Sequence, residues 1–186
     1  MEHPPAKSLD LSIVVPAYNE AESLPLLHER ICAAVEPLGL AWEVIYVDDG
    51  STDGTRAVLR ALQAADSHVV VAEQRRNSGK SLALNTGFAL ARGAIIITMD
   101  ADLQDDPDEI PNLLARLDEG YDVVSGWKFQ RQDPLSKRVP SWIANHVTAW
   151  MTGLRLHDMN CGLKAYRAEA VRELHLYGDL HRYIPI

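Results

Sequence analysis

The sequence lacks the features that mark secreted, nucleic-acid-binding and membrane-spanning proteins. It has only two cysteines in 186 residues, too few for a disulfide framework or a zinc site, which suits a reducing, cytoplasmic compartment. Eighteen basic residues against 26 acidic ones give a net charge of −8, which repels nucleic acid. Residues 1–10 contain no apolar core, so no signal peptide is expected, and no apolar run approaches the ~20 residues that span a bilayer. The seven histidines show no ligand spacing, so none is expected to bind a metal.

Length and composition indicate one globular domain. The chain is 47% apolar and 24% charged, close to the average for folded proteins. Short apolar runs alternate with helical stretches of ten or more residues, a pattern typical of an α/β fold with a mostly parallel sheet. The predicted strands are 11–16, 42–47, 69–72, 94–99 and 123–125, and the predicted helices are 23–35, 52–65, 81–91, 108–118 and 139–151.

This architecture locates the site before any motif is considered. In open α/β sheets, ligands bind beyond the carboxyl ends of the strands. The segments that follow the predicted strands are 17–20, 48–51, 73–80, 100–102 and 126–128, and several are acidic or polar. We therefore expect them to converge.

Asp100-Ala101-Asp102 is the strongest single signal, since two carboxylates follow a fully apolar strand. Carboxylate oxygens at this spacing suit Mg²⁺ or Mn²⁺, which also bridge to substrate phosphates. The alternative is a solvated turn in which aspartates cap the next helix.

The pair Asp48-Asp49 also follows a strand. Gly50 and Ser51 fit a tight turn that leads into a helix. A carboxylate at this strand tip suits the ring N–H of a uracil or guanine. Because Asp49 sits on a turn, its replacement is expected to lower nucleotide affinity and hardly change the stability of the fold.

Two further segments have competing interpretations. Gly79-Lys80-Ser81 imitates the end of a P-loop, but Gln74 stands where the first glycine is required, so a phosphate-wrapping loop is not expected. Lys80 remains able to reach a phosphate or to lie in solvent. In the stretch 139–151, Trp142 and Trp150 share a helical face, which suits either the core or a membrane surface.

Four segments in order resemble a known family. They are 14–20 (VVPAYNE), 47–51 (VDDGS), 100–107 (DADLQDDP) and 158–162 (DMNCG). Together they are similar to family-2 glycosyltransferases of the Rossmann-like GT-A fold, and most similar to the polyprenyl-phosphate subgroup that includes dolichol-phosphate mannose synthase. The resemblance implies a catalytic domain over residues 11–186, truncated at its C-terminus, after a flexible segment of residues 1–10.

The resemblance also implies residue roles. The expected nucleotide-binding residues are Pro16, Tyr18, Glu20, Val47, Asp49, Asp100 and Ala101. Asp102 and Gln104 would hold Mg²⁺ or Mn²⁺ in a DxD motif, and Asp100, Asp102 and Lys128 would form the catalytic group. Lys128 replaces the arginine usual in the subgroup, and a lysine is a point charge without the guanidinium fork. Lys137 and Arg138 would bind the acceptor phosphate.

The function implied is an inverting transfer of a sugar from a nucleoside-diphosphate sugar to a polyprenyl phosphate, at the cytoplasmic face of a membrane. Two alternatives stay open. One is a family-2 transferase that elongates a glycan on a hydroxyl acceptor, with Asp158 as base. The other is a nucleotide-binding module without turnover.

Overall fold

The structure is a computed structural model that describes residues 9–126 and 161–172, together with Leu176 and Gly178. The helix predicted over residues 139–151 lies outside the described residues. Within the described part of the chain, no helix combines the length and the apolar character needed to cross a membrane.

Strands and helices alternate along the first two thirds of the chain, as the sequence predicts. The strands are β1 Leu9–Ala17, β2 Trp42–Asp48, β3 Val69–Glu73, β4 Gly93–Thr98, β5 Val123–Ser125 and β6 Lys164–Arg167. The α-helices are α1 Leu24–Val35, α2 Thr55–Ala65, α3 Lys80–Leu90, α4 Ile110–Asp118 and α5 Ala168–Arg172, with short 3-10 helices at Glu36–Leu38 and Pro107–Glu109.

The six strands form one sheet in the order β3-β2-β1-β4-β6-β5. β1, β2, β3 and β4 are parallel, with Val14 opposite Ile45 on one side and Thr98 on the other. β6 runs antiparallel to both β4 and β5. The predicted mostly parallel sheet flanked by helices is therefore confirmed, and β6 is an addition that the sequence pattern did not reveal.

Both faces of the sheet are buried, which explains why the central strands are mainly apolar. Alternate residues of β1 point to opposite faces: Ile13 and Val15 pack in a cluster with α1 and α4, and Val14 packs in a second cluster with α3. Helices on both faces leave the strand ends as the open edge of the sheet.

The start of α2 differs from the prediction by three residues. The predicted helix begins at Thr52, whereas the observed one begins at Thr55. Thr52 instead donates its backbone N–H to the Asn19 side chain at 2.9 Å, so residues 52–54 remain in a loop that contacts the loop after β1. This contact between two loops at the sheet edge replaces the first turn of the predicted helix.

The close approach of α3 to β1 gives a first prediction, for Gly87→Ala. An added Cβ would collide with Cγ1 of Val14 and lie 3.3 Å from its Cβ. Valine is stiff at χ1, so the neighbour cannot swing away. We expect the free energy of unfolding to fall by about 1–3 kcal/mol, despite the ~1 kcal/mol by which alanine favours a helix over glycine.

Urea unfolding followed by circular dichroism measures this. Gly54→Ala is the control, because its added Cβ would lie at an ordinary 3.5 Å from the Ala21 Cβ. If Gly87→Ala were as stable as the wild type, the tight packing of α3 on β1 would be contradicted.

Candidate active site

A pocket of about 290 Å³ opens at the carboxyl ends of β1, β2 and β4, beside the start of α3. Four of the five segments expected to converge supply its wall, namely those that follow β1, β2, β3 and β4. Its lining residues are Pro16, Ala17, Tyr18, Glu20, Asp49, Asn77, Gly79, Lys80, Ala83, Asp100, Ala101 and Asp102.

The loop after β1 presents an aromatic ring and a carboxylate to this pocket. Tyr18 is 43% exposed, unusual for a large aromatic side chain and suited to contact with a planar ligand. Asn19 adopts a left-handed backbone conformation with φ of 58°. The Asn19 N–H donates to the Ser51 hydroxyl at 2.9 Å, which holds this loop against the one that follows β2.

Asp48 has a structural role that accounts for the first of the two adjacent acids. Its carboxylate is fully buried and pairs with the Arg56 guanidinium at 2.7 Å, which raises the pKa of Arg56. The other oxygen accepts the Ser51 N–H at 2.9 Å. Asp48 therefore anchors the turn to α2 and does not line the pocket.

Asp49 faces the pocket, but its carboxylate also holds the opposite wall in place. One oxygen accepts the Ser78 N–H at 2.8 Å and the other accepts the Gly79 N–H at 2.9 Å. The residue is only 4% exposed. Because these two contacts join Asp49 to the loop before α3, the structure gives its carboxylate an anchoring role that the sequence did not indicate, and we now expect its replacement to lower stability.

The acidic segment after β4 is fixed by contacts on three sides. Lys80 donates from Nζ to Oδ1 of Asp100, and the Asp100 N–H donates to the buried Asp105 carboxylate at 2.9 Å. Gly162 lies so close that a Cβ there would be 2.6 Å from Oδ2 of Asp100. Replacement of Gly162 by any larger residue would displace Asp100, so this glycine is a positioning residue of the site.

Asp102 is exposed in the same pocket, and Oδ1 accepts the Gln104 N–H at 3.0 Å. Leu103 between them has φ of 62°, a conformation that an L-residue adopts only when its surroundings enforce it. Two carboxylates that share one solvent-accessible pocket fit a hard divalent cation that keeps several waters. The side chain of Gln104 is exposed and is not part of the pocket lining.

The structure brings together most of the residues predicted for nucleotide and metal, namely Pro16, Tyr18, Glu20, Asp49, Asp100, Ala101 and Asp102. Val47 is different, because its side chain is fully buried in the core between the sheet and α3. Lys128, predicted to be catalytic, lies outside the described residues. So do Lys137 and Arg138, which are predicted to bind the acceptor phosphate.

Five lining residues were not among the predicted ones: Ala17, Asn77, Gly79, Lys80 and Ala83. The available signal was their position, since Ala17 ends β1 and the other four follow β3 at the edge where these segments meet. Lys80 is neither a P-loop lysine nor a solvated helix start, because it pairs with Asp100.

Comparison with known proteins assigns the chain to a family. The family model for "Glycosyl transferase family 2" matches residues 12–174. The dodecaprenyl-phosphate galacturonate synthase of Rhizobium johnstonii is 42% identical over 97% of this chain and 54% of that protein. The undecaprenyl-phosphate 4-deoxy-4-formamido-L-arabinose transferase of Salmonella enteritidis is 43% identical over 95% of this chain and 54% of that protein. The chain thus spans about half the length of the curated relatives it matches.

Solved structures have the same fold. The Pyrobaculum calidifontis mannosyltransferase in complex with GDP-Man and Mn²⁺ gives a TM-score of 0.65 at 26% identity, over 90% of this chain and 47% of that one. The Mycobacterium tuberculosis glucosyl-3-phosphoglycerate synthase in complex with Mn²⁺, UDP and phosphoglyceric acid gives 0.70 at 26% identity, over 89% and 58%. The expected GT-A-like architecture is confirmed.

The contacts of Asp49 generate a second prediction. Asp49→Asn keeps the shape of the side chain but turns one acceptor into an NH₂ group that faces a backbone N–H. We expect the free energy of unfolding to fall by about 1–3 kcal/mol, the cost of a buried donor without a partner.

Chemical denaturation of the ligand-free protein measures this effect, with Asp102→Asn as the matched control. Asp102 is exposed, so its replacement should change the free energy of unfolding by no more than about 0.5 kcal/mol. Equal stability of Asp49→Asn and the wild type would show that the two N–H contacts do not hold the loop.

Proposed function

Because this chain belongs to glycosyltransferase family 2, we propose that it transfers a sugar from a nucleoside-diphosphate sugar to a polyprenyl phosphate, with inversion at the anomeric carbon. The observation that carries the proposal is the pocket in which Tyr18, Asp49, Asp100 and Asp102 meet. Two relatives, a dodecaprenyl-phosphate galacturonate synthase and an undecaprenyl-phosphate 4-deoxy-4-formamido-L-arabinose transferase, support the class of acceptor.

The nucleoside occupies the part of the pocket between the loops after β1 and β2. Tyr18 offers the face of a ring, and Pro16 and Glu20 line the same wall. Asp49 reads the base through a ring N–H. Its two oxygens already accept backbone N–H groups, but each carboxylate oxygen has a second lone pair to offer. A base bound there touches a carboxylate that is already held in position.

The diphosphate lies over the acidic segment, with Asp100 and Ala101 beside the ribose and diphosphate. Asp102 and Gln104 would hold a Mg²⁺ or Mn²⁺ ion, in keeping with the Mn²⁺ bound in two structural neighbours. When bound, such an ion stabilises the negative charge that develops on the leaving diphosphate. Lys80 forms an ion pair with Asp100 in the pocket, and its ammonium can neutralise part of the charge on the diphosphate.

A phosphate acceptor explains why a strong general base is not required in the pocket. A phosphate monoester has its second pKa near ~6, so it is already a dianion at neutral pH and attacks without losing a proton. Lys128, Lys137 and Arg138 form a basic group suited to that dianion, and the stripe with Trp142 and Trp150 suits the lipid at a membrane surface. These assignments rest on the sequence alone.

Metal dependence is tested with Asp102→Asn, which preserves shape and removes one charge. We expect sugar transfer to fall by about 10²-fold or more, and EDTA to abolish transfer by the wild type until Mn²⁺ or Mg²⁺ is restored. Asp108→Asn changes an exposed carboxylate in the same acidic stretch, outside the pocket lining, and should remain active. Transfer that survives both Asp102→Asn and EDTA would overturn the metal assignment.

The class of acceptor is tested with matched lipids. A short polyprenyl phosphate and the corresponding polyprenol are offered with radiolabelled UDP- and GDP-sugars, and labelled lipid is quantified. We expect product from the phosphate only and little effect of Asp158→Asn. Product from a hydroxyl acceptor that requires Asp158 would favour the glycan-elongating alternative. Donor binding without transfer to any acceptor would favour a binding module.

A further inference from the structure

A second cluster of ligand-type side chains lies away from the pocket, among α1, the end of α2 and the loop before β3. His28 and Cys32 are one turn apart on α1, and Asp66 directly follows α2. Their ligand atoms form a closed triangle. His28 Nε2 is 3.3 Å from Asp66 Oδ2 and 3.7 Å from Cys32 Sγ, and Cys32 Sγ is 3.8 Å from Asp66 Oδ2.

These three distances match one face of a zinc tetrahedron. With Zn–S of about 2.3 Å and Zn–N and Zn–O of about 2.0–2.1 Å, tetrahedral angles put the N···O edge near ~3.3 Å and the two edges to sulfur near ~3.6 Å. The observed triangle has one short and two longer edges in that arrangement. We propose that His28, Cys32 and Asp66 bind a Zn²⁺ ion, with water as the fourth ligand.

Neighbouring side chains orient two of the three ligands, as is usual around bound zinc. Tyr46 OH lies 3.1 Å from His28 Nδ1, so Nε2 faces the cluster. His68 binds the other oxygen of Asp66 through Nδ1 at 2.7 Å and through its backbone N–H at 2.8 Å. Its ring is in turn fixed by stacking on Trp42 at 4.3 Å. These contacts leave Asp66 Oδ2 directed at the site.

The geometry is not that of a reactive thiol with a histidine relay. A relay needs the carboxylate on the imidazole nitrogen opposite the thiol, whereas Asp66 and Cys32 share the same nitrogen of His28. Coordination to one ion requires the opposite arrangement, in which the ligand atoms of all three side chains face the same point.

The location favours a cation and allows it to enter. Asp66 follows the carboxyl end of α2, where the helix dipole is negative. The side chains of His28 and Asp66 keep 11% and 22% of their exposure, so water can reach the fourth position. The ion would join α1 to the end of α2 and the loop before β3, at a place distinct from the nucleotide pocket.

Cobalt tests the site directly, because a thiolate bound to Co²⁺ gives an intense ultraviolet charge-transfer band that oxygen ligands do not give. Metal-free protein is titrated with Co²⁺ and then with Zn²⁺. We expect one equivalent of Co²⁺ to give the thiolate band, release of the Cys32 thiol proton to solvent, and loss of the band when Zn²⁺ displaces Co²⁺.

The two cysteines of the chain provide matched variants. The band should disappear in Cys32→Ser, persist in Cys161→Ser, and persist in Asp102→Asn, which separates this site from the proposed donor metal. Absence of the band in the wild type, or its retention in Cys32→Ser, would overturn the proposal and leave the cluster as a hydrogen-bonded contact only.

Thermal unfolding provides a second readout that does not depend on activity. At about a hundredfold excess of free Zn²⁺ over its Kd, the midpoint should rise by about 5–10 °C in the wild type. Asp66→Asn removes one ligand charge and should lose most of this shift. If Zn²⁺ raised the midpoint equally in the wild type, Cys32→Ser and Asp66→Asn, the ion would act elsewhere and the proposal would be wrong.

Discussion

The geometry of the pocket depends on the two carboxylates at the end of β2. Asp48 is buried and paired with Arg56, which fixes the turn into α2, while Asp49 accepts two N–H groups from the loop before α3. That loop ends at Lys80, which contacts Asp100 at the end of β4. A chain of charged contacts therefore runs across the carboxyl edge of the parallel strands, and three of its members, Asp49, Lys80 and Asp100, also line the pocket.

The parallel half of the fold was predictable because its signals are local. Short runs rich in Val, Ile and aromatic residues, such as 42–47, favour strands buried on both faces, and the acidic segments that follow parallel strands meet at one edge. Seven of the residues expected to bind nucleotide and metal line the pocket for this reason. The sequence alone could not distinguish Val47 from these residues. Side chains alternate between the two faces of a strand, so a residue near the end of a strand can point into the core or toward the pocket.

Features that arise from distant residues were not predictable. β6 is four residues long and includes Lys164 and Arg167, so it has no apolar pattern and becomes a strand only because β4 and β5 leave a place between them. Gly162 matters because Asp100 approaches it across the fold. The cluster around Cys32 requires Asp66, 34 positions along the chain, and two histidines that have no ligand spacing between them.

The antiparallel insertion of β6 has a consequence for how such a protein can diversify. The chain leaves the sheet at Gly126 and returns at Cys161, and the two points are adjacent: Gly126 donates its N–H to Leu163 at 2.9 Å. The two ends of the stretch 127–160 are therefore held side by side by the sheet. A change in the length or composition of this stretch is expected to have little effect on the register of β5 and β6, so it can vary while the pocket at the carboxyl edge is preserved.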